Sequence, residues 1–124
     1  MSKQKKLLVV EDDVSIRELL EELFLSEDYE VHVAKHGADA LDQLKAGVVK
    51  PDVIILDLSM AVMDGKTFLK EFPQQCPDLT SIPVLIMTAA GASEIPQHPT
   101  SQILKKPIDI DRLLETVGRF AGKV

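Results

Sequence analysis

The chain lacks a second cysteine, any long apolar run, an excess of basic charge and a glycine-rich loop, and each absence closes a class of function. Cys76 stands alone, so it has no partner for an internal disulfide or a zinc site. A reducing compartment, with Cys76 as an ordinary buried or loop thiol, is the simpler expectation. No stretch is long enough to span a bilayer. Lys3, Lys5 and Lys6 precede an apolar run, but that run covers only Leu7 to Val10 before Glu11, too short for the core of a secretion signal. A cytoplasmic location with no membrane partner is therefore expected. The 14 basic residues are outnumbered by 20 acidic ones, a net charge of -6. That balance disfavours nucleic acid as a partner, because binding to a phosphate backbone draws on counterions released by basic groups. Gly37, Gly47, Gly65 and Gly91 are scattered and build no phosphate loop, which argues against nucleotide binding, and flavin binding is equally unsupported. His32, His36 and His98 share no metal-ligand spacing and read as surface residues.

What is present is an alternation of apolar runs and helical patterns, with no repeat, low-complexity tract or linker. With 124 residues, 45% of them hydrophobic, the chain reads as one domain, 1–124. Strands are expected at Leu7–Val10, Val53–Asp57, Pro83–Thr88 and Ser101–Leu104. A half-exposed edge strand is expected where Tyr29, Val31 and Val33 alternate. The first helix carries Ile16, Leu19, Leu20, Leu23 and Phe24 at helical spacing, with Ser15 and Glu18 spaced as a capping box and Arg17, Glu18, Glu21 and Glu22 facing solvent. A second helix runs Ala38–Ala46 and is closed by Gly47. A third begins after Asp64, buries Phe68, Leu69 and Phe72, and stops before Pro73. The last spans Asp109 to Ala121, with Ile110, Leu113, Leu114 and Val117 at helical spacing. Such an order implies an α/β fold: a doubly wound, five-stranded parallel sheet of flavodoxin-like order 2-1-3-4-5, with helices on both faces and a ligand crevice beyond the strand C-termini.

The central strands end in one chemical kit: Glu11, Asp12 and Asp13 after the first, Asp57 after the third, Thr88 after the fourth, and Lys105 and Lys106 after the fifth. Carboxylates gathered in a crevice repel one another, and a divalent cation is the usual remedy. One carboxylate can also act as a nucleophile toward a phosphoryl group, while a hydroxyl and an ammonium bind the oxygens. Taken alone, the acidic trio could be a solvated loop, Thr88 a plain strand end and Lys106 a surface lysine. Asp57 is harder to dismiss, because a carboxylate directly after four apolar strand formers is poorly hydrated unless it has a partner.

The segments Val9-Val10-Glu11-Asp12-Asp13, Leu56-Asp57-Leu58-Ser59-Met60, Met63-Asp64-Gly65, Met87-Thr88-Ala89 and Lys105-Lys106-Pro107 together resemble the receiver domain of two-component response regulators, over nearly the whole chain. The resemblance implies Asp57 as phosphoacceptor, with Thr88 and Lys106 contacting the phosphoryl oxygens. It also implies Mg²⁺ held by Asp12, Asp57, the Ser59 backbone carbonyl and, through water, Glu11. The Lys106–Pro107 bond is expected cis, and Asp13 is expected outside the ion's coordination shell as a helix cap. The implied partners are a sensor histidine kinase or phosphotransfer protein and a downstream protein target, and the chain would catalyse only its own modification. By the same analogy the first-helix face would meet the kinase. Readout would be by protein association, or else the chain is part of a larger protein.

Three departures from the family pattern concern output. Ile103 replaces the aromatic residue that commonly reorients with the threonine. The interval from Thr88 to Lys106 is short and is broken by Pro96 and Pro99, so the helix between the fourth and fifth strands is expected short, displaced or absent. Ala61 replaces a common proline and should only loosen a turn. Ser59 and Ala90, small residues at positions that tune hydrolysis in the family, imply slow self-dephosphorylation. Two other readings compete: a receiver-like interaction module that is not phosphorylated, and a small metal-dependent phosphatase or phosphotransferase. The first has no need of the full kit, and the second lacks an evident extra acid or base.

Overall fold

The structure, a computed structural model, describes residues 4–58, 65–88 and 101–122. Five strands, β1 (Lys6–Val10), β2 (Glu30–Ala34), β3 (Val53–Asp57), β4 (Val84–Thr88) and β5 (Ser101–Lys105), form one parallel sheet in the order β2-β1-β3-β4-β5. The described helices are α1 (Val14–Ser26), α2 (Gly37–Ala46), α3 (Gly65–Gln75) and α4 (Ile110–Ala121), with a 3₁₀ turn at Pro77–Leu79. The expected doubly wound fold is thus observed. The expectations about Ser59, Ala61, Ala90, and the helix between β4 and β5 with its prolines Pro96 and Pro99 fall outside the described residues.

Strand alternation divides the interior into two layers, one on each face of the sheet. Leu8, Val10, Ile54, Leu56, Val84 and Ile86 point to one side, where they meet Leu41 and Leu44 of α2 and Phe68 and Phe72 of α3. Leu7, Val9, Val53, Ile55, Leu85 and Met87 point to the other, against Leu20 and Phe24 of α1 and Leu113 and Val117 of α4. Both faces of β1, β3 and β4 are therefore dry, which is why these strands read as continuous apolar runs. At the edge, β2 is half-buried up to its buried last residue, Ala34.

Four local expectations need correction. The cap of α1 is Asp13, whose Oδ1 accepts from the Ile16 backbone N–H at 3.0 Å. Ser15 lies inside the helix, so the Ser15–Glu18 box does not form. Asp13 lies directly before Val14, the first residue of the helix, where its carboxylate is within reach of the free N–H groups. Asp13→Ala should therefore cost about 1 kcal/mol in urea denaturation, while Ser15→Ala should change stability by no more than about 0.5 kcal/mol, as at an ordinary exposed site. Equal effects would restore the box.

The apolar stripe of α1 is only partly buried, since Leu20 and Phe24 are enclosed but Ile16 and Leu19 are exposed. Next, α3 runs through Pro73 to Gln75 instead of stopping before it. Proline burdens the turn before it, by the missing N–H and by ring crowding, but leaves the residues after it free to stay helical, and the Cys76 N–H reaches the Phe72 carbonyl at 2.8 Å. Finally, His36 is the cap of α2, its Nδ1 accepting from the Asp39 backbone N–H at 3.1 Å. Gly47 closes α2 in the left-handed conformation, as its position suggested.

Candidate functional site

Register carries the site. Val10 is opposite Leu56, Asp57 is opposite Met87, and Thr88 is opposite Lys105, so β1, β3, β4 and β5 release their next residues at one edge of the sheet. The Glu11 N–H still donates to the Ala34 carbonyl at 3.1 Å, and the Leu58 N–H to the Met87 carbonyl at 3.2 Å, extending the ladders past the strand ends. Glu11, Asp57 and Thr88 are almost wholly buried. Asp12 is half-buried.

One carboxylate oxygen from each of Glu11, Asp12 and Asp57 lies within 4.8 Å of the others. The Lys106 ammonium is 3.0 Å from Asp57 Oδ1, and the Lys106 N–H donates to the Thr88 carbonyl at 2.9 Å. The Lys106–Pro107 bond is cis. Asp13, occupied as the α1 cap, stands outside the three-acid cluster, as expected. The Ser59 carbonyl falls outside the described residues.

Electrostatically the crevice is under strain. Glu11 Oε2 accepts from the Asp13 N–H at 3.2 Å, whereas the buried Oε1 has no hydrogen-bond partner among the described residues. Burial, followed by the adjoining Asp57 carboxylate, pushes the Glu11 carboxyl from 4.5 up to about 7; the Asp13 N–H and Lys106 ammonium only partly offset this. With both acids ionised, each is only an acceptor, and a hydrogen bond between them requires a proton on Glu11. An orphaned buried oxygen facing two further carboxylates suits a hard divalent cation with oxygen ligands, so these residues fit Mg²⁺.

The raised value carries a testable sign. Folded Glu11 retains a proton that the unfolded chain loses near 4.5, so its contribution to stability is present below that pH and is lost as pH rises through about 7. The interval from 4.5 to about 7 corresponds to a loss on the order of 3 kcal/mol. Urea denaturation in EDTA between pH 5 and 8 should therefore show stability falling with pH, and Glu11→Gln should flatten the decline. Parallel profiles for the two proteins would contradict the assignment.

Arg17 was expected to face solvent and is half-buried. Arg17 Nη1 instead donates to the Glu11 carbonyl at 3.1 Å. The available signal was its position one turn into α1, directly after the acidic loop. A separate concavity of about 400 Å³, bordered by Lys6, Lys50 and Asp52, lies at the opposite edge of the sheet and contains none of the residues above.

Residues 7–118 match the family model of the response regulator receiver domain. Among curated proteins, the transcriptional regulatory protein ZraR of Salmonella typhimurium is 40% identical over 117 residues, covering 91% of this chain and 25% of that protein. The chain thus spans about a quarter of the length of ZraR. Sporulation initiation phosphotransferase F of Bacillus subtilis is 34% identical over 120 residues, covering 94% of this chain and 93% of that protein. The crystallised chemotaxis protein CheY4 of Vibrio cholerae superposes with a TM-score of 0.82 at 33% identity, covering 95% of this chain and 99% of that one.

The family match and the fold are those of a receiver domain, a class of phosphoacceptor signalling domains. The chain belongs to the response regulator receiver family, whose members interact with histidine kinases or phosphotransfer proteins. No helix among the described residues is long and apolar enough to cross a membrane.

Proposed function

We propose that this chain is a single receiver unit that takes a phosphoryl group from a phosphohistidine onto Asp57 and thereby changes which protein it binds. The observation that carries this reading is a buried Asp57 held beside Glu11 and Asp12 on one side and 3.0 Å from the Lys106 ammonium on the other. An Asp57 carboxylate oxygen attacks phosphorus in line; the O–P bond forms as the P–N bond to the donor imidazole breaks, and the leaving nitrogen takes the bonding pair. Asp57 becomes an acyl phosphate, and the donor histidine is regenerated.

Lys106 offsets charge on the aspartyl and phosphoryl oxygens, and Thr88, buried at the end of β4, supplies a hydroxyl to the new oxygens. Glu11, Asp12, Asp57 and the Ser59 carbonyl would hold Mg²⁺, which when bound supplies the positive charge that lets carboxylates and phosphoryl oxygens share the crevice. The acyl phosphate adds about -2 charge and new acceptors. Contacts made only to that state shift the domain toward a form that a downstream protein reads. In this chain the readout proceeds without a switching ring at Ile103, which packs half-buried against the Leu56 layer.

Incubation with acetyl phosphate and Mg²⁺, followed by intact mass measurement, tests the reading. One phosphoryl adduct per chain is expected, dependent on Mg²⁺. An unmodified chain would point to a binding module, and sustained consumption of the donor would point to a hydrolase.

A further inference from the structure

We propose that Arg17 is a positioning residue for the metal site: from α1 it clamps the Glu11 peptide, and thereby sets the aim of the Glu11 and Asp12 carboxylates. This rests on the reading of the crevice as a Mg²⁺ site.

The acidic loop is short and leaves the sheet abruptly. Val10 is the last residue of β1, and Val14 is the first of α1. Three residues must therefore turn the chain while presenting two of their carboxylates to Asp57 and the third to the helix. The N–H of Glu11 remains in the sheet, bonded to Ala34, but its carbonyl lies beyond the last residue of β1. Arg17 Nη1 supplies a donor to that carbonyl at 3.1 Å, in a part-buried position.

The same residue's backbone N–H bonds the Asp13 carbonyl at 2.9 Å. Arg17 thus grips the loop at both ends, by side chain at Glu11 and by main chain at Asp13, with Asp12 between them. Since its donor meets the carbonyl, it controls the orientation of the Glu11–Asp12 peptide, and Asp12 is less buried than the two other acids of the cluster, Glu11 and Asp57. The positive charge acting on the Glu11 carboxyl is that of Lys106. Arg17 therefore acts through loop geometry and not by neutralising the acids. Groups that orient metal ligands in this way affect affinity by about 10- to 100-fold when removed.

Mg²⁺ titration by calorimetry and the Mg²⁺ dependence of phosphorylation by acetyl phosphate provide the test, using the unsubstituted chain, Arg17→Ala and Arg17→Lys. Arg17→Ala should bind Mg²⁺ about 10-fold more weakly, yet saturating Mg²⁺ should bring its phosphorylation rate to within about twofold of the unsubstituted chain. Arg17→Lys, which keeps a donor able to reach a carbonyl, should recover most of the affinity.

A folded Arg17→Ala chain with unchanged Mg²⁺ affinity overturns the proposal. So does a rate deficit that excess Mg²⁺ leaves in place, since that would put Arg17 in transfer or donor docking. If Arg17→Ala unfolds, the outcome rests on Arg17→Lys, whose affinity must lie above any loss of the 10-fold kind. Failure of the unsubstituted chain to take up Mg²⁺ would instead remove the site reading on which the proposal stands.

Discussion

Asp57→Asn is expected to take up no phosphoryl group from acetyl phosphate or from a phosphohistidine donor, at any Mg²⁺ concentration. The amide has nearly the same shape as the carboxylate, but it lacks the anionic oxygen that attacks phosphorus, so the loss is one of chemistry and not of packing. Glu11 and Asp12 remain within the same cluster, which makes the experiment discriminating. An adduct that persists at full yield would transfer the nucleophile to one of them. A second readout follows from electrostatics. Asp57 raises the Glu11 carboxyl both by its hydrogen bond and by its charge, so the substitution lets Glu11 ionise at less cost. It also removes the ion pair with Lys106, but the Lys106 side chain is 32% exposed, so water takes up its ammonium and leaving it unpaired costs little. In EDTA above pH 7, Asp57→Asn should therefore be more stable than the unsubstituted chain, by about 1 kcal/mol. Saturating Mg²⁺ should reverse the order, because the ion stabilises only the chain whose site is complete. An unsubstituted chain that is already the more stable in EDTA would show that the acids are not in conflict.

The reasons for what could and could not be read in advance are physical. The strands at Val53–Asp57 and Val84–Thr88 were legible because a strand buried on both faces must be apolar at every position. The same burial makes the polar residue at each strand end conspicuous, which is how Asp57 and Thr88 were found. Lys106 was found by its place after β5. Pattern alone cannot show that Val10 lies opposite Leu56, the register that makes three separate acids into one cluster. Features resting on a single hydrogen bond were misread. The Asp13 cap was expected and is observed, but the Ser15–Glu18 box was not excluded by spacing alone, because which residue caps depends on where the chain turns. Pro73 disfavours the turn before it and not the one after, so its position alone does not mark where α3 ends. Arg17 looked like an exposed charge because its partner is a backbone carbonyl, and a carbonyl leaves no mark in a sequence. His36 was passed over for a similar reason: its role requires a neighbouring N–H, not another side chain.

Ile55→Ala should produce the largest loss of stability for the smallest loss of chemistry. Ile55 is completely buried at the centre of β3, between Val9 and Leu85 on the neighbouring strands, and belongs to the layer closed by Phe24, Leu113 and Val117. Truncation removes methyl and methylene groups from a site where helices on that face cannot collapse without disturbing the sheet. The expected cost is about 2–5 kcal/mol, out of a total that for a domain of this kind is about 5–15 kcal/mol. The melting temperature should fall by roughly 10 °C or more, and Ile55→Val should cost only about 0.5–1.5 kcal/mol. The site two residues further along is held by other means. The Leu58 N–H bonds the Met87 carbonyl, Asp57 is paired in register with Met87, and Lys106 is tied to the Thr88 carbonyl. These are backbone ladders that do not require the volume of Ile55. Well below its melting transition, Ile55→Ala should still give one adduct per chain, at a rate within a fewfold of the unsubstituted protein. If the folded variant instead lost its adduct, side-chain packing under β3, and not strand register, would be what aims Asp57.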